Sequence, residues 1–453
     1  MFHVGSARSA LWNWLFARQH DGVFVLRIED TDEARNEPQW VDGIHSAMRW
    51  LELDWDEEYV QSANAAAHRG AADRLLSAGR AYYCDCTGEV AAARRPPGAP
   101  PAYDGFCRDR GLGPGPGRAI RFRLPEGRTE FDDLVRGHVA FDNENLGGDF
   151  VIVKANGGAV FYLANTVDDL DEGVTHVLRG EEHLSNTAKN QLLWEALSDR
   201  PLPVWAHLPL LVNEQRKKLS KRRDQVSLES FRDDGYVMEA LRNYLCLLGW
   251  APKGDREFLT LDEMVAEFRI EDVGSSPAFF DIKKLTAFNE HYIRQMTAEA
   301  FIAACAPFLD RGPWPPEAFD PAVFARIAPD VQPRIKTLAQ VPAMVDFLFL
   351  DAAPIDPAAW QKGVAGYPPA EALLTEGAAG FASCEWVEPA IKAVVESAAE
   401  RQGLATGKAQ APIRVAVTGR TVGPPLWPAI ELLGRDRVLA RLEAALDRLR
   451  GGD

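Results

Sequence analysis

Apolar residues recur at helical spacing near the start of the chain. They are Ala7, Ala10, Leu11, Trp14 and Leu15. After a turn at residues 21–22, residues 23–28 form an almost continuous apolar run, which is typical of a parallel strand that is buried on both faces. The pattern therefore predicts a helix followed by a buried strand, as in an α/β domain.

The composition and the hydrophobic pattern of the sequence change at residues 81–161. Segments rich in proline and glycine are followed there by short alternating stretches such as residues 119–124. Strand character returns near Tyr162 and at residues 174–178, and helical spacing follows at residues 186–197. We therefore expect a doubly wound parallel-sheet (Rossmann-like) α/β domain that is split by an α+β insertion.

The remainder of the chain has a helical pattern. Residues 228–248 read as helices, and a stretch rich in alanine, leucine and glutamate continues to residue 450 with breaks marked by proline. This composition is typical of helical bundles. The predicted domains have the bounds 1–80, 81–161, 162–225, 226–309 and 310–453.

The chain is large and acidic. It has 453 residues, of which 46% are hydrophobic, and a formal net charge of -16 at pH 7. This size allows more than one buried core, whereas the negative charge opposes long-range association with a polyanion. Basic residues nevertheless cluster at 94–95, 108–118, 216–223 and 435–450, so the total charge does not exclude a nucleic acid.

The sequence carries no targeting or membrane signal. No run approaches about eighteen apolar residues, and no basic and apolar leader precedes a cleavage site. Six cysteines in a chain of this length do not form a disulfide framework. We therefore expect a cytoplasmic protein with reduced cysteines and no membrane partner.

Two separated segments predict one nucleotide site. His3 and Gly5 lie at the N-terminus of the first predicted helix, where free backbone N–H groups and positive partial charge favour a phosphate. Residues 216–223 include six basic residues in eight. Lys218 and Lys221 can neutralise charge that develops on a polyphosphate, although a solvated charge run is the alternative for this segment.

Charged residues mark the ends of predicted strands. Glu29 follows residues 23–28 at a carboxyl end, where it can meet an ammonium group or a ribose. A solvated acidic turn is the alternative, and it fits Asp32 better. Arg179 offers a planar guanidinium that matches a carboxylate and would select an acidic side chain over glutamine. Pairing with Glu181 is the alternative for Arg179.

Three cysteines predict a metal site. Cys84 and Cys86 form a C-x-C pair, and Cys107 follows after a proline-rich segment. Three thiolates on two short loops suit tetrahedral zinc but need one more ligand, normally Cys, His or a carboxylate, and none is obvious nearby. Free thiols are the alternative. The other cysteines read as buried thiols: Cys246, Cys305 and Cys384.

Several ordered motifs carry a resemblance to a known family. HVGS at 3–6 resembles the HIGH signature, and KLSKR at 218–222 resembles the KMSKS loop, of class I aminoacyl-tRNA synthetases. The stretches that resemble glutamyl-tRNA synthetases are LWNWLFARQHDGVFVLRIEDTD at 11–32, THVLRGEEHLSNT at 175–187, EALRNYLCLLGW at 239–250, FDIKKLTAFNEHYIR at 280–294 and PIRVAVTGRTVGPPLW at 412–427. The resemblance therefore extends almost to the C-terminus.

The resemblance implies an enzyme that activates glutamate with ATP and Mg²⁺ and transfers it to the 3′ end of tRNA(Glu), and we expect a monomer. It implies the ATP-binding residues His3, Gly5, Ser6, Glu182, Lys218, Ser220 and Lys221, of which His3, Lys218 and Lys221 are catalytic. It implies the glutamate-binding residues Glu29, Phe161, Asn165 and Arg179. A helix cap is the alternative for Asn165.

The resemblance also assigns roles to the zinc site and the domains. A tyrosine completes the zinc site in some members, which implies the ligands Cys84, Cys86, Tyr103 and Cys107. Such a zinc would be structural. By the same resemblance, residues 81–161 bind the acceptor end of tRNA, residues 226–309 contact the stem and residues 310–453 bind the anticodon.

Two departures from the family leave alternatives open. Phe161 stands where many members have tyrosine, although Tyr162 is adjacent. Members have a strand and turn before the HIGH motif, whereas only Met1 and Phe2 precede His3, so we expect that the natural start lies upstream. A non-catalytic tRNA-binding paralogue is therefore one alternative. A glutamyl-queuosine tRNA(Asp) synthetase is another, but it normally lacks a region such as residues 310–453.

Overall fold

The computed structural model describes residues 2–31, 37–96, 98, 102–220, 224–254 and 256–451. The chain divides into two compact units. The first comprises Met1–Ser230 and Arg242–Asp281, and the second comprises Phe231–Leu241 and Ile282–Asp453. The division into five domains stays a prediction.

The chain up to residue 281 contains both helices and strands. The helices are α1 (Val4–Gln19), α2 (Pro38–Trp50), α3 (Ala65–Ser77), α4 (Gly88–Ala93), α5 (Phe161–Asp171), α6 (Leu184–Leu197), α7 (Leu228–Asp233), α8 (Met238–Cys246) and α9 (Leu261–Glu267). The strands are β1 (Val25–Ile28), β2 (Glu57–Val60), β3 (Ala81–Cys84), β4 (Ala119–Phe122), β5 (Arg128–Asp133), β6 (Gly137–Asp142), β7 (Val151–Val153), β8 (His176–Gly180), β9 (Val204–Leu208), β10 (Leu211–Val212) and β11 (Ala278–Phe279).

The first unit contains both parallel and antiparallel strands. β1 pairs in parallel with β2, and β8 pairs in parallel with β9. β3, β4 and β7 form an antiparallel sheet within the predicted insertion. The hairpin of β5 and β6, which the sequence also places in the insertion, joins β9 to give the order β6-β5-β9-β8. The predicted Rossmann-like class is confirmed as a mixed α/β arrangement, in which part of the insertion shares a sheet with β8 and β9.

The helix α1 forms where the apolar spacing predicts it. Ala7, Leu11, Trp14 and Leu15 are buried on one side, and Arg18 in the last turn suits the negative end of the helix dipole. A separate apolar cluster contains side chains of α3, β4, α5 and α6. It includes Leu75, Phe122, Leu163 and Leu193, all fully buried. This core supports the helices that carry the candidate site.

Three local predictions are wrong. Val23 is 62% exposed, and of β1 only Ile28 is buried, so this segment is not buried on both faces. Tyr162 lies in the helix α5 instead of a strand, because a short apolar run has no periodicity that separates the two. Cys384 is only half-buried, whereas Cys246 and Cys305 are buried as predicted.

The second unit is helical, as the sequence predicts. Its further helices are α10 (Ile282–Gln295), α11 (Ala298–Leu309), α12 (Pro321–Val331), α13 (Val341–Val345), α14 (Pro357–Trp360), α15 (Ala370–Ser383), α16 (Glu388–Arg401), α17 (Thr406–Thr418), α18 (Leu426–Leu433) and α19 (Arg435–Leu449). No helix in the part of the chain that the structure describes combines the length and the apolar character needed to span a bilayer.

Candidate active site

The residues HVGS form the start of α1. His3 caps the helix, and its Nδ1 accepts a hydrogen bond of 2.9 Å from the backbone N–H of Gly5. With Nδ1 used as an acceptor, a neutral ring carries its proton on Nε2. A Cβ at Gly5 would lie 3.2 Å from that Nδ1, so glycine suits this close turn. Ser6 is exposed on the same turn.

The chain that follows the basic loop is hydrogen-bonded to this turn. The backbone N–H of Val4 donates to the carbonyl of Val226 at 2.8 Å. His3 and Ser227 form an antiparallel bridge. The structure therefore places the segment that follows the basic loop next to the HVGS turn, although the two are distant in the sequence.

Lys218 in the basic loop forms an ion pair with Glu182. Lys218 Nζ lies 3.0 Å from Glu182 Oε1. Desolvation acts to raise the pKa of the Glu182 carboxyl, but its backbone hydrogen bond and Lys218 outweigh that effect and lower it. The backbone N–H of Ser220 donates to Asp224 at 2.9 Å. The predicted residue Lys221 lies outside the described residues.

Arg179 lies at the carboxyl end of β8. Its Nη2 donates to Thr187 Oγ1 at 2.6 Å and to Asn190 Oδ1 at 3.2 Å. Within the described ranges its buried Nε has no hydrogen-bond partner. Burial lowers the pKa of Arg179 to about 10, although Asp169 and Glu29 oppose the shift. The hydrogen bonds to Thr187 and Asn190 engage Nη2, so the rest of the planar guanidinium fork is suited to a carboxylate ligand.

The structure does not favour the alternative in which Arg179 pairs with Glu181. Glu181 pairs instead with Arg136, and its Oε1 also accepts a hydrogen bond of 2.9 Å from the backbone N–H of Leu210. Arg179 is therefore not held by the carboxylate that is nearest to it in the sequence.

Glu29 interacts with both Asn165 and Arg179. Desolvation raises the pKa of the Glu29 carboxyl, while Arg27, a hydrogen bond from Asn165, and Arg179 act to lower it. The Oδ1 atom of Asn165 accepts a hydrogen bond of 2.8 Å from Gln61 Nε2, so the amide donor of Asn165 serves other groups. Asn165 lies within α5, so the alternative of a helix cap is wrong.

Phe161 begins α5 and stacks on a neighbouring histidine. Its ring centroid lies 5.7 Å from that of His183, with an interplanar angle of 29°. Tyr162 packs instead against Phe150, at 5.6 Å between centroids, and against the apolar cluster. The ring of Tyr162 therefore does not take the place of a tyrosine at position 161.

The three predicted zinc-binding cysteines lie together. Their Sγ atoms are within 4.8 Å of one another, and those of Cys86 and Cys107 are 3.4 Å apart. Tyr103 Oη lies 3.4 Å from Cys84 Sγ and 3.7 Å from Cys86 Sγ. Ligands of a tetrahedral zinc with bonds of about 2.0 to 2.3 Å are separated by roughly 3.4 to 3.8 Å, so this donor set fits zinc.

Three arginines surround these sulfurs. Arg121 Nε donates to Cys84 Sγ at 3.2 Å, Arg94 Nη2 to Cys86 Sγ at 3.3 Å, and Arg110 Nη1 to Cys107 Sγ at 3.3 Å. Positive charge beside a sulfur favours the thiolate, which is the form that binds a metal. Desolvation acts to raise the pKa of the Cys84 thiol, but Tyr103 and Arg121 outweigh it and lower that pKa, whereas desolvation raises the pKa of Cys107, so the surroundings favour a thiolate most clearly at Cys84.

Comparisons with known proteins are consistent across the chain. Residues 1–287 match the catalytic domain of class I tRNA synthetases (E and Q), and residues 300–446 match an anticodon binding domain. The glutamate–tRNA ligase of Frankia casuarinae is 55% identical over 458 residues, which cover 100% of this chain and 97% of the relative. The chain belongs to the glutamate–tRNA ligase family.

Other members of the glutamate–tRNA ligase family match over the same extent. The relative from Thermobifida fusca is 54% identical and is covered to 96% of its length by 99% of this chain. A crystal structure of a glutamate tRNA ligase from Elizabethkingia meningosepticum in complex with its amino acid has a TM-score of 0.83 at 28% identity. It covers 99% of this chain and 97% of its own. The family that the motifs predict is confirmed.

Sequence reasoning missed several polar residues of this glutamate–tRNA ligase family member. Gln61 Nε2 donates to Asp168 Oδ2 at 2.8 Å, and His68 Nε2 lies 2.7 Å from Asp168 Oδ1, which forms a buried group behind Asn165. A polar residue on the buried face of a helix, such as Asp168, is a signal that could have found this group. Gln61 begins a short 3-10 helix (Gln61–Asn64), which is too short to show a periodic signal.

Proposed function

We propose that this chain is a glutamate–tRNA ligase that activates glutamate with ATP and transfers it to the 3′ end of tRNA(Glu). The observation that carries the proposal is the 55% identity along the whole chain with a curated glutamate–tRNA ligase. The separate matches to a catalytic and an anticodon binding domain support it, because the proposed reaction needs both the chemistry and the choice of tRNA.

The proposed reaction has two steps. A carboxylate oxygen of glutamate attacks the α-phosphorus of ATP, the bond to the bridging oxygen breaks and pyrophosphate leaves. A hydroxyl of the 3′-terminal ribose then attacks the acyl carbon of the glutamyl-adenylate, and AMP leaves. The protein mainly positions the reactants and neutralises charge. Mg²⁺ enters with ATP, so no separate protein cage is needed for it.

In this proposal the nucleotide binds between the start of α1 and the basic loop. His3, Lys218 and Lys221 contact the phosphates and are the catalytic residues. The further ATP-binding residues are Gly5, Ser6, Glu182 and Ser220. The contacts between residues 3–4 and 226–227 support a single site made of both segments.

Glutamate in turn binds beside Arg179. The partly unsatisfied guanidinium of Arg179 takes a carboxylate, and Glu29 meets the ammonium group. Asn165 and Phe161 line the same pocket. The interactions of Glu29 with Asn165 and with Arg179 support this assignment.

We also propose that Cys84, Cys86, Tyr103 and Cys107 hold one Zn²⁺. When bound, the metal supplies a structural cross-link and takes no part in the two reaction steps. The donor spacing and the three arginines on the sulfurs support this role. In the same proposal, residues 81–161 bind the acceptor end of tRNA, residues 226–309 contact the stem and residues 310–453 bind the anticodon.

The proposal includes a cytoplasmic, monomeric enzyme, because ATP and tRNA for translation are cytoplasmic substrates. Light scattering of the purified protein checks the monomer. A glutamyl-queuosine tRNA(Asp) synthetase is the less favoured function, since the anticodon binding domain matched by residues 300–446 serves tRNA choice in a full synthetase.

The test is pyrophosphate exchange and aminoacylation by the purified chain, with glutamate and tRNA(Glu). Glutamine and aspartate are the amino-acid controls, and tRNA(Asp) is the tRNA control. Glutamate-dependent exchange and charging of tRNA(Glu) support the proposal. Charging of tRNA(Asp) alone would favour the queuosine enzyme, and silence with every substrate would favour a non-catalytic paralogue.

A further inference from the structure

A buried row of hydrogen bonds leads away from Arg179. Arg179 Nη2 donates to Thr187 Oγ1, which lies 2.8 Å from His207 Nε2. On the other side of the ring, His207 Nδ1 lies 2.6 Å from Asp133 Oδ2. Asp133, Thr187 and His207 are 4%, 0% and 0% exposed. None of the three is among the substrate contacts proposed above.

The row links three elements of the first unit. Arg179 and His207 are direct partners in the parallel register of β8 and β9. Asp133 ends β5, which pairs with β9 through Asp133 and Trp205. Thr187 lies in the first turns of α6, so one hydroxyl bridges the strand arginine and the strand histidine.

The hydrogen bonds have a single consistent direction. Asp133 Oδ1 accepts from the backbone N–H groups of Val135, Arg136 and His207 at 3.0, 2.8 and 3.1 Å. These donors favour the ionised carboxylate, so Oδ2 accepts the Nδ1 proton of His207. Nε2 is then an acceptor for the hydroxyl of Thr187, whose oxygen accepts from Arg179.

The electrostatics support a neutral ring. Desolvation lowers the pKa of His207 although Asp133 opposes the shift, and Arg179 and Arg136 lower it further. A protonated ring would require the Thr187 hydroxyl to turn to the carbonyl of His183, which lies 3.3 Å away. The neutral ring leaves the Thr187 oxygen fully available to Arg179.

We infer that Asp133, His207 and Thr187 are positioning residues that fix the guanidinium of Arg179 through Nη2, so that its remaining terminal N–H donors are directed to a carboxylate of glutamate. This inference rests on the proposed function. Asn190 fixes Arg179 from another side, because its amide donates to Thr166 Oγ1 at 3.0 Å and its Oδ1 faces Nη2. A guanidinium has N–H donors and no acceptor, so one held in place through Nη2 can pair with both oxygens of a carboxylate but not with the NH2 group of an amide, which favours glutamate over glutamine.

The sharpest test is Thr187→Val, which keeps the shape of the side chain and removes the bridging hydroxyl. Thr187→Ser restores the hydroxyl and is the rescue variant. Thr129→Val is the matched control, because Thr129 is also buried and donates one hydrogen bond, to Asn143 at 2.6 Å. Each protein is assayed by glutamate-dependent pyrophosphate exchange with tRNA(Glu), with separate titrations of glutamate and ATP.

We expect Thr187→Val to raise the KM for glutamate about tenfold or more, as for loss of a hydrogen bond to a charged group. The KM for ATP and kcat should change less than about threefold. The lost interaction stabilises bound glutamate equally in the ground state and in the transition state, so its loss acts on the KM for glutamate. The preference for glutamate over glutamine should fall, and Thr187→Ser should recover most of both effects. A purely structural role would instead give Thr187→Val and Thr129→Val the same kinetics, which would overturn the inference.

Asp133→Asn gives a second measurement if Thr187→Val does not fold. The asparagine oxygen can still accept the backbone N–H groups, but its amide would face Nδ1 and move the ring proton of His207 to Nε2. Nitrogen NMR of histidine-labelled protein should show the Nδ1-protonated tautomer in the unmodified protein and its loss in this variant, with a raised KM for glutamate. An unchanged KM in a folded Asp133→Asn would overturn the inference. An unmodified chain without exchange activity would overturn the proposed function itself, and this inference with it.

Discussion

The ammonium group of Lys218 lies 3.0 Å from a carboxylate oxygen of Glu182. This ion pair connects the basic loop to the segment that follows β8, the strand that carries Arg179. The two side chains are 58% and 42% exposed, so solvent screens the pair and it contributes little to stability. Lys218 can therefore exchange this carboxylate for a phosphate of the nucleotide at small cost.

Replacement of Lys218 tests the proposed phosphate contact. We expect Lys218→Met to lower kcat for pyrophosphate exchange about a hundredfold, because one charge contact in the transition state is lost. The melting temperature should not change, since the side chain is exposed. The control is Lys217→Met, an exposed neighbour in the same loop that should retain activity. Equal rates for both variants would exclude the phosphate contact of Lys218.

The cysteine cluster predicts a measurable metal content. Protein purified without chelator should contain about one zinc per chain by mass spectrometry of the metal, as expected for a closed site of four ligands. Cys86→Ser should lose the metal and melt at a lower temperature, because binding of a structural metal contributes to folding. Cys384→Ser, outside the cluster, should keep it. Metal-free protein whose melting temperature does not respond to added zinc would exclude the site.

Local patterns predict the elements of this fold better than its long-range pairings. The spacing around Leu11 suffices to predict α1, because helical periodicity is a local property. The contact between residues 3–4 and 226–227 depends on the path of the whole first unit. The connection between the HVGS and KLSKR segments is therefore predicted by the resemblance of both motifs to one family and not by a local pattern.

Long-range pairing also explains why the sequence does not predict the polar residues behind Arg179. Asp133 and His207 are far apart in the sequence, and they meet only because β5 pairs with β9. Nothing local marks either residue as a partner of Thr187. The sequence places Tyr162 in a strand because its apolar neighbours show no helical period. The buried polar residues of α5 weaken that period further.

Glu172 predicts an unusual pH dependence of stability. Arg27 Nη1 lies 2.8 Å from both Asp169 and Glu172, so two carboxylates share one cation. Burial, opposed by Arg27 but reinforced by Asp168 and Asp169, raises the pKa of Glu172 to about 7 from 4.5. The folded state therefore binds this proton more tightly than the unfolded state, and the contribution of Glu172 to stability falls as the pH rises from 4.5 to about 7.

Glu172→Gln removes this titration and should reveal it. The melting temperature of the variant minus that of the unmodified protein should rise between about pH 5 and pH 8. The corresponding change in the free energy of unfolding is roughly 3 kcal/mol at most. Glu57→Gln on the exposed strand β2 is the control. A difference that is constant with pH, measured by thermal melts in matched buffers, would contradict the raised pKa.

Glu29 gives the final prediction, which concerns the ammonium group of glutamate. Its carboxylate must be ionised to attract that group, and desolvation raises its pKa above 4.5 although Arg27, Asn165 and Arg179 oppose the shift. As the pH is lowered, kcat/KM for glutamate should therefore begin to fall at a higher pH than expected for an ordinary glutamate residue, because protonation removes the charge that binds the ammonium.

Glu29→Gln should lower kcat/KM about tenfold or more at neutral pH, as expected for loss of a charged hydrogen bond, and should abolish the fall at acid pH, the acid limb. Glu58→Gln on β2 is the control and should keep both the rate and its pH profile. If Glu29→Gln kept the acid limb, another group would be responsible for it, and Glu29 would have no direct part in binding the ammonium group.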